Sequence, residues 1–138
     1  MNASLLLDTC ALMWVMDDMQ IREAAVEALD SAFDCGQPLY VSPITGWEIG
    51  LLESRGRFKS QLTPHRWLET LLAVPNVRLA ELSPRVLLES SLLPGRPPRD
   101  PADRLIAATA REFGFTVMTR DRALLDYARE GYLSAMEC

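Results

Sequence analysis

The sequence predicts an α/β fold: a three-layer α/β/α sandwich around a central, mostly parallel sheet of four to five strands. Three observations predict it. Short runs of apolar residues alternate along the chain with longer segments of helical periodicity, the pattern that right-handed crossovers convert into a parallel sheet with helices on both faces. Several helical segments open on Ser-Pro, Thr-Pro or Asp-Pro, in which the first side chain accepts an orphan amide and proline is tolerated at the first helical position. The chain has 138 residues, 49% of them hydrophobic, and a domain of about 150 residues buries roughly 68–70% of its unfolded surface. Residues 1–138 therefore read as one domain with one core.

Leu5 to Leu7 form the first expected strand and Thr9 to Trp14 the first turns of the helix after it. From about Ile21 to Phe33 the residues Ile21, Ala25, Val26, Leu29 and Phe33 recur at helical spacing, and Gly36 and Pro38 stop the run. Leu39 to Val41 read as strand two. Ser42-Pro43 then starts a helix that runs to about Ser54, where Gly56 suits a left-handed cap. Thr63-Pro64 starts another, with Trp67, Leu68, Leu71 and Leu72 as its buried stripe. Val77 to Leu82 is the third strand, and Ser83-Pro84 caps a helix over Val86 to Leu92. Leu93 to Arg99 hold too much proline for regular structure. Asp100-Pro101 opens a helix with Leu105, Ile106, Thr109, Ala110 and Phe113 facing the core, ended by Gly114. Phe115 to Thr119 form a strand, Asp121 to Arg129 a helix, and Tyr132 to Met136 a short last strand.

Composition narrows the function. No apolar stretch approaches the roughly 18 uninterrupted residues of a spanning helix, and the N-terminus lacks a secretory pattern, so no membrane role and a cytoplasmic location are expected. Cys10, Cys35 and Cys138 form no C-x-x-C pair and read as incidental thiols. A net charge of −5 argues against whole-surface affinity for nucleic acid, although a local basic patch is compatible with it. His65 is the one histidine and Lys59 the one lysine, which removes serine–histidine and cysteine–histidine catalysis.

Acidic residues remain. Asp8 ends the first strand, Glu48 interrupts an apolar helical stripe between Ile44 and Leu51-Leu52, Asp103 lies in the opening turn of a helix, and Asp121 follows the Phe115 to Thr119 strand. Ligands gather beyond the carboxyl ends of parallel strands, so the topology gathers three of the four, Asp8, Asp103 and Asp121. Asp8, Asp100 and Asp121 also suit helix caps, and Asp100 is assigned mostly to capping. Ionised carboxylates gathered in one place repel one another unless a cation sits among them, and an all-oxygen donor set selects Mg²⁺ or Mn²⁺. The chemistry so indicated is attack of an activated water on a phosphodiester, with Glu48 or Asp121 orienting that water. Thr9 and Thr119 are accessory candidates. Arg96, Arg99 and Arg104 are the candidate contacts to the substrate's phosphate backbone, with Arg55, Arg57 and Lys59 behind them, and ordinary solvated surface is the expectation for at least half of these cations. Trp14 and Trp47, which flank the acids in sequence, are expected to pack in the core, with base stacking as the alternative.

Four segments carry a resemblance: Leu5 to Trp14 (LLLDTCALMW), Ser42 to Ile49 (SPITGWEI), Arg99 to Ala108 (RDPADRLIAA) and Val117 to Asp121 (VMTRD). In this order they resemble the PIN-domain ribonucleases, and more narrowly the VapC-type toxins of bacterial toxin–antitoxin pairs. The resemblance implies the α/β/α sandwich, Mg²⁺- or Mn²⁺-dependent cleavage of RNA, a homodimer, and a VapB-like antitoxin that lays a helix in an apolar groove and presents an arginine to the acids. It puts Asp8, Glu48, Asp103 and Asp121 on the acidic quartet and Asp100 on an extra aspartate one turn earlier. Arg99 and Ala102 depart from the family pattern, which has a histidine and an aromatic residue there.

Other readings fare worse. A phosphoaspartate receiver needs a lysine on a late strand, and a haloacid-dehalogenase-like phosphatase needs an aspartate where Cys10 stands. The serious alternative is a non-catalytic PIN-type partner subunit of a DNA-binding regulatory complex.

Overall fold

The computed structural model describes residues 3–138. Five strands, β1 (Leu5–Leu7), β2 (Leu39–Val41), β3 (Val77–Leu79), β4 (Thr116–Thr119) and β5 (Ser134–Glu137), form one sheet in the order β3-β2-β1-β4-β5. Every pairing is parallel. Seven helices connect the strands among the described residues: α1 (Thr9–Met16), α2 (Glu23–Asp34), α3 (Ile44–Ser54), α4 (Pro64–Leu72), α5 (Pro84–Ser91), α6 (Pro101–Phe113) and α7 (Arg122–Arg129). The expected sandwich is present, its sheet wholly parallel.

Strand β1 shows why both faces must be covered. Leu5 and Leu7 point into one cluster with Ala11, Leu12, Ala25, Ile49, Trp67 and Leu71. Leu6, fully buried, points into the other with Ile106, Ala107, Ala110, Leu124 and Tyr127. A continuous apolar run is what a central parallel strand requires, since neither face meets water. The chain moves outward from β1 to β3 and then crosses back to β4, which pairs with β1 on its other side. The carboxyl ends of β1 and β4 therefore border the switch point of the sheet, where parallel sheets open a crevice.

Several elements depart from the sequence reading. Helix α2 packs through Ala25, Ala28, Leu29 and Ala32, and Val26 and Phe33 are left exposed on its flanks. Leu72, Phe113 and Trp47 are also exposed; Phe113 covers Phe115, which stacks on Tyr40 with ring centroids 4.3 Å apart. Strand β3 stops at Leu79 instead of Leu82. Strand β5 starts at Ser134 rather than Tyr132, because Gly131 turns at φ +90° and the Tyr132 ring stacks on Tyr127 5.1 Å away.

Candidate active site

Four segments of the chain deliver the acids. Asp8 leaves β1 and caps α1, its Oδ1 accepting the Ala11 amide at 2.8 Å. Asp121 leaves β4 and caps α7, its Oδ2 accepting the Leu124 amide at 2.9 Å. Asp100 caps α6 through the Ala102 amide at 2.8 Å, and Asp103 stands in the first turn of that helix. Glu48 comes from the middle of α3. Capping and convergence are thus compatible: one oxygen of each of Asp8, Asp100 and Asp121 holds a helix start, and the three side chains still line one cavity.

The five carboxylates line a single cavity of about 330 Å³ together with Thr9, Cys10, Trp14 and Arg120. Two hydroxyls fix the acids from behind. Thr119 donates to Asp8 Oδ2 while its own oxygen accepts the Asp121 amide at 2.9 Å, tying the ends of β1 and β4 together. Thr9 donates to Glu48 Oε1 at 2.6 Å. Its one proton is then spent, so Thr45, 3.0 Å away and fully buried, is the donor in the Thr9–Thr45 contact. Thr45 escaped the sequence reading, although its place one turn before Glu48 on the same helix was a usable signal.

Electrostatics set this cavity apart. Among the described residues the ion pairs are Arg22–Glu137, Arg85–Glu112 and Arg129–Asp126, and none involves the cavity acids. Burial raises the Asp8 carboxyl, the Thr119 and Ala11 hydrogen bonds oppose it, and the Asp121 charge raises it further. Glu48 is raised by burial, lowered by Thr9, and raised again by Asp100 and Asp8. Asp103 is pushed up to about 8, first by burial and then by the charges of Asp121, Asp100, Glu48 and Asp8, with nothing opposing. Burial and the same field push the Cys10 thiol up to about 11. It stays protonated at neutral pH and is no nucleophile.

The donors suit a hard divalent cation in kind: they are all carboxylate oxygens, Asp8, Glu48 and Asp103 are partly desolvated, and none is held in an ion pair among the described residues. They are not gathered tightly. Among the described residues no group of three or more His, Cys, Asp or Glu side chains is close enough to hold a metal ion as it stands.

The arginines are arranged otherwise than expected. Arg96 and Arg99 are exposed on the proline-rich loop and do not line the cavity. Arg104 turns away: its Nε donates to Ser90 O at 2.9 Å and its Nη1 to Pro98 O at 3.1 Å, so it anchors the loop to α5 instead of facing a substrate. Arg55, Arg57 and Lys59 lie outside the cavity too. The one cation that lines it is Arg120, which the sequence reading passed over although it sits between Thr119 and Asp121. Trp14 lines the cavity half-buried, while Trp47 is 54% exposed on the outer side of α3 and is no core residue.

The family model of the PIN domain matches residues 5–130, and Ribonuclease VapC22 of Mycobacterium tuberculosis (strain ATCC 25618 / H37Rv) is 34% identical over 122 residues, 88% of this chain and 89% of that protein. This chain belongs to the PIN-domain family. Its relatives of known structure include VapBC2 from Rickettsia felis bound to a DNA fragment from the promoter, with TM-score 0.66, 16% identity and 96% and 97% of the two chains covered. DNA-bound VapBC from Salmonella typhimurium superposes with TM-score 0.64 at 18% identity, covering 99% and 98%. These two likenesses show the same fold. Among the described residues no helix is long and apolar enough to cross a membrane.

Proposed function

We propose that this protein is a VapC-type toxin: an endoribonuclease dependent on Mg²⁺ or Mn²⁺, working in the cytoplasm and held inactive by a VapB-like antitoxin. The observation that carries the reading is the cavity lined by five carboxylates from four separate segments of the chain, none of them in an ion pair among the described residues and with Arg120 as the one cation on its wall. Stability alone gives no reason to keep charges there, because unpaired desolvated carboxylates weaken the fold. The 34% identical relative carries the name of a ribonuclease. The non-catalytic alternative leaves the same acids without a use.

Asp8, Glu48, Asp103 and Asp121 would hold the cation, which would supply charge stabilisation to the phosphate and a more acidic water. The chain's own residues do the rest. Thr119 and the Ala11 amide hold Asp8 in one orientation, and Thr45 through Thr9 does the same for Glu48. Glu48 or Asp121 orients the attacking water, whose oxygen bonds to phosphorus as one P–O ester bond breaks and the departing oxygen takes up a proton. Asp100 adds charge at the rim.

An unneutralised acidic cavity also suits an antitoxin arginine as inhibitor. The homodimer is supported by α5 and the residue after it, where Leu88 and Leu92 stand 61% and 63% exposed. Antitoxin-free protein, dimeric by light scattering, should cut pooled cellular RNA only with Mg²⁺ or Mn²⁺. Asp8→Asn and Asp103→Asn should each lower cleavage by at least about a hundredfold while remaining folded. Full activity in either folded variant contradicts the assignment.

A further inference from the structure

We infer that Arg120 is the substrate-phosphate contact of this site, and that the RNA strand leaves the acidic cavity over it into the neighbouring depression between Gln20 and Cys138. The inference rests on the nuclease reading and adds a residue and a direction to it.

Arg120 is the single cation on the cavity wall, and it makes no ion pair with the acids beside it. It is held elsewhere. Its guanidinium carbon lies 4.0 Å from the centroid of the Trp14 ring, and its Nη2 donates to Gln20 O at 2.8 Å and Cys138 O at 3.2 Å. Nη2 and one face are thereby used, the Cys138 thiol also contacts the guanidinium, and the residue is exposed. Such a guanidinium is fixed before any ligand arrives and stays open to solvent, the arrangement suited to phosphate. A purely structural arginine has no need to border an anionic cavity, where its charge counters the acidic field that repels RNA.

Direction follows from the second depression. It holds about 540 Å³, is lined by Gln20, Ile21, Arg22, Arg120, Glu137 and Cys138, and shares Arg120 with the acidic cavity as a common wall. A strand whose scissile phosphate sits among the acids meets Arg120 at the next phosphate; Arg22 beyond it is paired with Glu137 at 2.7 Å, so among the described residues Arg120 is the unpaired cation on this path. The proline-rich loop with Arg96 and Arg99 borders neither depression.

The test uses full-length protein carrying Asp8→Asn to suppress cleavage, a short fluorescent single-stranded RNA, and anisotropy over a range of salt concentrations. Adding Arg120→Gln should weaken binding about tenfold and reduce the log–log salt slope by about 0.7, the value for one phosphate contact on a single strand. Arg120→Lys, which keeps the charge but loses the planar stack, should restore the slope and part of the affinity. Unchanged affinity and slope in Arg120→Gln, or a lysine variant as weak as the glutamine one at unaltered slope, overturns the assignment. Metal-dependent cleavage by protein without Asp8→Asn is measured in parallel. Its absence defeats the nuclease reading, whereas cleavage together with unaltered RNA affinity in Arg120→Gln defeats only the role of Arg120.

Discussion

Asp103 illustrates how a single carboxyl reports the design of the site. Its ordinary value of 3.8 is raised to about 8 by burial and four neighbouring charges. In the metal-free protein the folded state therefore holds this proton across a pH range in which the unfolded chain has lost it. Stability that is fully present below about pH 4 is lost as pH rises towards 8. Metal-free protein should accordingly melt at lower temperature at pH 8 than at pH 5, and Asp103→Asn should remove part of that slope and stabilise the fold at neutral pH by about 1 kcal/mol. Parallel slopes in the two proteins, followed by thermal melts in chelator, would contradict this. Residue-scale legibility was uneven. Glu48 stood out because a charge inside an apolar stripe needs a partner, but the partner, Thr9 backed by Thr45, depends on how α1 and α3 meet, which no local pattern encodes.

The helices and loops were legible where capping chemistry is local. Thr63, Ser83, Asp100 and Asp121 each accept an amide at the helix start that their side chains predicted. The segment from Leu93 to Arg99 was different, since proline content marked it as irregular and said nothing of where it lies. Tyr127 Oη donates to Pro94 O at 2.6 Å, Arg104 donates to Pro98 O, and Gly95 sits under the Tyr132 ring. A Cβ on Gly95 would come within 2.3 Å of Tyr132 Cε2, and the residue has φ +70°. Tyr132 cannot swing aside freely because it stacks on Tyr127. Gly95→Ala should thus destabilise the protein by about 1–3 kcal/mol, measured by urea unfolding, and loosen the loop that delivers Asp100 and Asp103. Wild-type stability in that variant would remove the loop's packing from the account.

At the scale of the molecule, the alternation of apolar runs and helices was enough to predict a sheet covered on both faces. Strand order was not readable from it. The reversal after β3 places β4 against β1 through parallel pairs such as Leu6 with Val117, and that pairing brings Asp8 and Asp121, 113 positions apart in sequence, to adjacent strand ends. The amphipathic stripes of α2 and α6 were legible in period but not in extent, because how far a helix is covered depends on its neighbours: Phe33 and Phe113 have the right spacing and face outward. The same dependence hid Arg120, whose importance comes from Trp14, Gln20 and Cys138, residues remote from it in the chain.

The central claim is that acids from distant segments of one chain form a common cation site. Mn²⁺ binding to antitoxin-free protein, followed by calorimetry at neutral pH, tests it most directly. The account predicts saturable binding that weakens at least about tenfold in each of Asp8→Asn, Glu48→Gln, Asp103→Asn and Asp121→Asn, with release of protons as Asp103 ionises. Equal Mn²⁺ affinity in the wild-type protein and all four folded variants would contradict it.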